Sequence, residues 1–410
     1  MIDTVLIPIL KDKCGKLTSK DNYRPIALSN VLSKIIERVL FNRIDQYLST
    51  LHNQFGFKKK HGTDLCIFSL KEIISYYRGK GSSVFLCFLD ASKAFDRVNH
   101  SVLFRKLISR GVPLYIIRLL IVWYSNQMYY VRWGNILSLP FNVQNGVRQG
   151  GILSPQLFNL YMNGLSKTLH KRSIGLYTGN FSSHIMYADD LVLYSPSVKG
   201  LEELIIECEH YGKTHDIKYN SKKSAIMIVK SAYDKNTKFP YINVDGHVVP
   251  NVTSVKYLGH IINENLSDDE DINRQKRSLY IKANMLKRKF SKCSDKVKIM
   301  LFKSFCTQLY TCTLWSAYKT KTIESFYIAY NQALRILMGI PYFCSAKQMF
   351  VYLGIYSVKE LIRKSVYSFK KRVISTPNDI IQGILNSDCS VRSQLWQTWT
   401  TTLYVKQLSV

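Results

Sequence analysis

Three aspartates stand at the ends of apolar runs, where a fold could gather them around a cation. Asp90 directly follows the run from Ser83 to Leu89, whose unbroken apolar character predicts a strand buried on both faces. Asp189 and Asp190 lie between Ile185-Met186-Tyr187 and Leu191-Val192-Leu193, which puts two charges at the tip of an apolar hairpin. Carboxylates are the hard oxygen ligands that Mg²⁺ prefers, and Mg²⁺ takes few of them, leaving the rest of its shell to phosphates and water. Two such ions about 3.5–4 Å apart activate a 3′-hydroxyl and stabilise charge on a phosphoryl group, which is nucleotidyl transfer. An isolated Asp-Asp is more simply a turn of two turn-favouring residues. The third aspartate and the charge of the whole chain tilt the reading toward a metal site.

That charge is +29, from 57 Lys and Arg against 28 Asp and Glu. A surplus of this size repels itself unless a polyanion covers it. A long nucleic-acid groove fits, although charge alone fits any basic soluble protein as well. The 410 residues are 46% hydrophobic, enough for two or three subdomains. Nine cysteines, an odd number without a C-x-x-C spacing, suggest neither a disulfide framework nor a zinc finger, so they read as reduced thiols. The most apolar run, Leu114 to Tyr124, contains Arg118 and is too short to span a bilayer, so no membrane partner is expected.

The elements that must position the aspartates can be followed along the chain. Val5 to Leu10 contains Pro8 and predicts an edge strand. Leu32, Ile35, Ile36, Val39, Leu40 and Ile44 recur at helical spacing, with Ser29 or Asn30 available as a cap. Further helices are expected over Thr63 to Tyr77, Arg97 to Arg110 and Leu114 to Tyr124, and another opening at Ser154-Pro155. Leu201 to His215 is helical as well. Tyr129 to Trp133, Phe141 to Val143 and Ser224 to Val229 read as strands, and Asp245-Gly246 turns a hairpin. After a polar stretch near Glu264 to Glu270 the chain becomes helical, basic and aromatic.

Several blocks resemble one family. Phe88-Leu89-Asp90-Ala91-Ser92-Lys93-Ala94-Phe95-Asp96 is similar to the LD-x-x-KAFD block of non-LTR retrotransposon reverse transcriptases. Tyr187-Ala188-Asp189-Asp190 is similar to their Y-x-D-D box, and Arg148-Gln149-Gly150 followed by Ser154-Pro155 to their RQG-x-x-x-SP block. Asn22-Tyr23-Arg24-Pro25-Ile26, Gln54-Phe55-Gly56-Phe57, Asn220-x-x-Lys223 and Tyr257-Leu258-Gly259 resemble the remaining blocks, all in family order up to about residue 262. The likeness is nearest to jockey- and CR1-like elements.

The resemblance implies an α+β right-hand polymerase: fingers over 1–82, a palm with an antiparallel sheet over 83–262, a helical thumb over 263–340 and a helical extension over 341–410. Finger–palm elements fall at about 101–145, and helices are expected on one side of the palm sheet. It implies an RNA-directed DNA polymerase that adds dNTPs to a DNA primer on an RNA template. Asp90 and Asp189 would hold two Mg²⁺, with Mn²⁺ as a substitute, and Asp190 would support them. Phe95 would exclude the ribose 2′-hydroxyl that distinguishes RNA precursors. Gln149 and Gly150 would line the nascent base pair, and Arg24 and Lys223 would face the triphosphate, with Lys222 a competitor for the latter place. Lys11 is a further candidate for the same phosphates, in a loop where solvated lysines are common. Tyr257, Leu258 and Gly259 would form the primer grip. Arg274, Lys276, Arg277, Lys287 and Arg288 would meet duplex phosphates, with Leu279, Ile281, Met285, Leu286 and Phe290 on the apolar side of the same helix. Arg148 stays open between a structural role and a template contact, and Asp96 between a first-turn acid or helix cap and a catalytic residue.

Relatives of this kind usually carry an endonuclease ahead of the polymerase. None is recognisable in this sequence, nor is a ribonuclease H or a Cys/His motif, so the chain reads as a fragment or a decayed copy. Family life cycle implies ribonucleoprotein particles in nucleus and cytoplasm. Two competing readings are a maturase-type polymerase, which shares Y-A-D-D, and a silent nucleic-acid-binding protein.

Overall fold

A computed structural model describes residues 3–177, 181–234, 240–387 and 393–404. β1 (Thr4–Leu10) and β2 (Tyr23–Ser29) pair antiparallel along their full length. Pro8 predicts a sheet edge for β1, yet β1 is interior, because β4 (Met128–Trp133) joins its other side in parallel. That parallel pairing covers Thr4, Val5 and Leu6 and stops there. Pro8 lies beyond it and faces Pro25 on β2, so two residues without an N–H oppose each other where no ladder bond is lost. β5 (Ile136–Leu137) and β6 (Phe141–Asn142) both pair with β4 and complete this first sheet.

α1 (Val31–Ile44) starts at Asn30, whose side chain accepts the Ser33 N–H at 2.8 Å. Its buried stripe is Ser33, Glu37, Leu40 and Ile44, while Leu32, Ile35 and Val39 are exposed. The apolar spacing predicts the helix correctly but not its rotation. Glu37 turns inward because the guanidinium of Arg148 awaits it there.

The second sheet is built from β3 (Val84–Leu89), β9 (His184–Tyr187), β10 (Asp190–Ser195) and β11 (Ala225–Val229). Its order is β11-β3-β10-β9, antiparallel throughout. Side chains of β3 alternate between two cores, Phe85, Cys87 and Leu89 in one and Val84, Leu86 and Phe88 in the other. Both faces are therefore apolar, and helices cover both, not one side as expected. The first face packs against α3 (His100–Ser109), α4 (Leu114–Ser125), α5 (Ser154–Lys171) and α6 (Val198–Thr214). The second packs against α2 (Thr63–Gly79). Each fully buried Leu, Ile or Phe in these layers contributes roughly 1.5–3 kcal/mol.

Among the described residues, three short ribbons lie outside the two sheets. β7 (Leu176–Tyr177) pairs with β8 (Phe181–Ser182). β12 (Asn243–Val244) and β13 (His247–Val248) turn at Asp245-Gly246, both at positive φ, as that dipeptide predicts. β14 (Ser254–Tyr257) and β15 (His260–Asn263) make a further hairpin, with Leu258 and Gly259 at φ 45° and 83°.

The helical region has its own core, with Leu279, Leu286, Phe302, Phe326 and Tyr330 at its centre. It is built by α7 (Asp269–Phe290), α8 (Asp295–Phe305), α9 (Thr320–Met338) and α10 (Ala346–Leu353). Ile281, expected on the apolar side of α7, is 69% exposed. α11 (Val358–Ser375), α12 (Asp379–Asn386) and the last described helix, Gln394–Tyr404, return to the second face of the sheet. There Trp399 stacks on Phe68 of α2, with ring centroids 5.8 Å apart. Cys66, Cys87, Cys208, Cys306 and Cys312 are buried free thiols, and Cys389 lies outside the described residues. No described helix is long and apolar enough to cross a membrane.

Candidate active site

The β9–β10 hairpin pairs Tyr187 with Asp190, so Ala188 and Asp189 form its two-residue turn. Ala188 takes φ 57°, the positive value such turns require at their first central position. Leu191 pairs with Leu89, the last pair of that ladder, so Asp90 and Asp190 are the next residues of their strands at the same end of the sheet. The three carboxylates thus share one end of the sheet. Burial raises Asp90 above its ordinary pKa, with Lys223 and Lys11 opposing. Burial and then the charge of Asp90 raise Asp189. Asp190 is open on its outer side, yet crowding around its carboxyl and the charges of Asp189 and Asp90 push it up to about 6. Among the described residues none of the three has an ion-pair partner. Like charges without protein counterions fit divalent cations. Among the described residues no group of three or more His, Cys, Asp or Glu side chains is placed to hold a metal ion by itself, so an ion here would draw the rest of its shell from phosphates and water.

Gln54 fixes the turn, and nothing in the sequence marks it for that role beyond its block. Buried at 2% exposure, its side chain accepts the N–H groups of Ala188 and Gly56 at 2.9 and 2.8 Å and donates to the Ala188 carbonyl at 3.2 Å. Phe55 N–H donates to the Met186 carbonyl, and Met186 N–H to that of Asn53, so the segment lies along β9. Gly56 must be glycine here, because a Cβ would stand 2.4 Å from the Ala188 nitrogen.

Cations border the carboxylates. Asn220 N–H donates to the Asp90 carbonyl at 2.8 Å, and Asp90 N–H donates to Ser224 Oγ at 3.1 Å, which brings the Asn220–Ser224 loop alongside. Lys223, not Lys222, is the lysine whose charge bears on Asp90. Lys11 is lowered by partial burial and then by the charges of Lys223, Lys93 and Arg24, so these four cations lie close together. Arg24 also bears on Asp189. Sequence reasoning assigns Lys93 no role; here it also pairs with Asp21 at 2.7 Å.

Phe95 stacks on Phe158 with centroids 4.3 Å apart and meets Phe57 edge-on. Asp96 is a first-turn acid of the short 3₁₀ helix Ala94–Arg97, and it accepts Gln149 Nε2 at 3.0 Å, which orients that amide. Ala27 N–H donates to the Gln149 carbonyl at 2.8 Å. Gly150 has φ 119°, and a Cβ there would stand 2.7 Å from the Ala27 carbonyl, so its close approach is to β2. Arg148 is structural: it pairs with buried Glu37, donates to Ser29 Oγ at 3.2 Å and lies over Trp123.

The residues of the expected primer grip divide. Tyr257 is buried, its hydroxyl 3.4 Å from Cys66 Sγ and its ring beside Phe88, so it serves the core. Leu258 and Gly259 form the turn itself. Arg274 is expected on duplex phosphate, but its Nε and Nη2 donate to Asp271 and its Nη2 also to the Gly259 carbonyl, so these donors are engaged within the chain. Lys276 donates to Ser325 Oγ at 3.2 Å. Arg277, Lys287 and Arg288 are exposed.

A family model described as reverse transcriptase (RNA-dependent DNA polymerase) matches residues 9–262. A probable RNA-directed DNA polymerase from transposon X-element of Drosophila melanogaster is 26% identical over 89% of this chain and 41% of its own length. That from transposon BS of the same organism is 24% identical over 87% of this chain and 40% of its own. The chain therefore spans about 40% of the length of these two relatives. An apo telomerase structure from Candida tropicalis aligns with a TM-score of 0.47 at 11% identity, over 99% of this chain and 67% of that one. With more than half its residues inside the family model and the aspartate boxes at one end of its sheet, the chain belongs to the reverse transcriptase (RNA-dependent DNA polymerase) family.

Proposed function

We propose that this chain is the polymerase core of a non-LTR retrotransposon reverse transcriptase, extending a DNA primer with dNTPs on an RNA template. The observation that carries the reading is the register that ends at Leu191 and Leu89, which leaves Asp90 and Asp190 at one end of the sheet with Asp189 in the adjoining turn. Asp90 and Asp189 would hold two Mg²⁺, or Mn²⁺ in their place. Bound there, the ions would activate the primer 3′-hydroxyl and offset charge on the phosphoryl group. Asp190 supports the pair through its charge. Gln54 fixes the turn that carries Asp189. Arg24, Lys223, Lys11 and Lys93 form a cationic margin suited to a triphosphate. Gln149, oriented by Asp96, and Gly150 line the nascent base pair, and Phe95, braced by Phe158, walls the sugar. The Leu258-Gly259 turn grips the primer, and Arg277, Lys287 and Arg288 meet duplex phosphates. The setting would be a ribonucleoprotein in cytoplasm and nucleus.

Primer extension on poly(rA)/oligo(dT) with Mg²⁺ tests this. The wild type should extend the primer and Asp189→Ala should not; equal extension, or none by either, defeats the reading. Phe95→Ala should raise ribonucleotide incorporation, and unchanged sugar discrimination would remove Phe95 from the gate.

A further inference from the structure

The β14–β15 turn hangs on the helical region by its two carbonyls. Tyr310 Oη donates to the Leu258 carbonyl at 2.6 Å, and Arg274 Nη2 donates to the Gly259 carbonyl at 2.6 Å. Gly259 is bound to its residue type there, since a Cβ would stand 2.9 Å from the Tyr310 ring.

Both donors are themselves held. Arg274 Nε and Nη2 reach Asp271 Oδ1 at 3.0 and 2.6 Å. Asp271 is fully buried and also accepts Trp315 Nε1 at 2.9 Å and the Ile261 N–H at 3.2 Å. Gln275 Nε2 donates to the Tyr310 carbonyl at 2.9 Å, and the Tyr310 hydroxyl also meets Thr63 Oγ1 of α2. Buried His260 lies between Asp271 and Asp268, at 3.3 and 3.4 Å. Lys71 of α2 closes the chain on Asp268 at 2.6 Å. An arginine that gives Nε and Nη2 to a buried carboxylate and a turn carbonyl is held in one orientation by its own chain, which suits it to aim that turn.

We propose that Arg274 and Tyr310 are positioning residues that aim the Leu258-Gly259 turn at the primer end, with Asp271 setting the arginine. This rests on the reading of that turn as the primer grip. Through the Lys71–Asp268 contact the same network ties α2, beneath the catalytic sheet, to the start of α7.

The test uses the full chain on an RNA template with a DNA primer carrying 4-thiothymidine next to its 3′ end, followed by photocrosslinking and peptide mapping. Wild type should crosslink at the turn; absence of that crosslink sinks the primer-grip reading and the proposal with it. Given that crosslink, Arg274→Met should cut its yield by about tenfold, the loss of one charge-assisted hydrogen bond. Tyr310→Phe removes only a hydroxyl and should lower the yield in the same direction, which covers a failure of the arginine variant to fold. Crosslinks unchanged in both variants overturn the proposal while leaving the grip reading intact. Salt dependence separates aiming from phosphate contact: Arg274→Met should leave the slope of log affinity against log salt unchanged, whereas a direct contact would lower it by about one. Asp271→Asn combined with Arg274→Met should cost little more than either alone, and full additivity would count against a shared role.

Discussion

At the sheet end, Asp90, Asp189 and Asp190 are only partly covered and every carboxyl is raised. At the root of α7, Asp268 and Asp271 are far more deeply buried, yet both are lowered. Burial pushes all five in the same direction, so partners decide the outcome. Lys71 and His260 outweigh burial at Asp268; His260, Trp315 and Arg274 do so at Asp271. The sheet-end trio has no such partners within the described chain, so its charges stay unbalanced there. One cluster is complete without a ligand, and the other is not.

Removing a charge from each cluster should have opposite effects on activity and stability. Asp189→Ala should reduce primer extension by roughly three orders of magnitude, the several kcal/mol of charge stabilisation that a metal site supplies. Its unfolding midpoint in urea should hold or rise, because a like-charged neighbour is gone; a marked fall would show that the trio is structural. Asp271→Asn should do the reverse in stability, costing about 3 kcal/mol by stranding Arg274 and its partners. A midpoint indistinguishable from wild type would mean that the network does not outweigh the cost of its burial.

Gln54→Ala sharpens the contrast from the uncharged side. Leaving the Ala188 groups unpaired should cost about 2 kcal/mol, and loosening the turn should slow single-turnover addition by about a hundredfold. Destabilisation with normal turnover would restrict Gln54 to folding. The smallest effect is on acid unfolding. Asp271 has a folded pKa below the ordinary 3.8, so its contribution is full above that value and is lost as pH falls from there through the folded value. An acid titration of unfolding should therefore show a shallower decline below about pH 4 in Asp271→Asn than in wild type; parallel curves would remove Asp271 from the acid limb.

Much of this is legible in sequence where the signal is local. The apolar run before Asp90, the hairpin around Asp189-Asp190 and the Asp245-Gly246 turn each announce themselves within a few residues. Glu37 is invisible there because its reason for facing inward, Arg148, lies far along the chain. Gln54 is hidden for the same cause, its partners being backbone groups of Ala188. Arg274 misleads because a basic helix face looks the same whether its donors meet phosphate or a buried carboxylate of the same helix. The interior place of β1 depends on β4, which no pattern in β1 reveals.

The stacking of Trp399 on Phe68 carries a consequence for synthesis. Phe68 belongs to a helix made early, and the ring that covers it comes from the last described helix. Until that last helix is made, Phe68 lacks the ring that stacks on it, and apolar surface left open in this way makes a growing chain prone to aggregate.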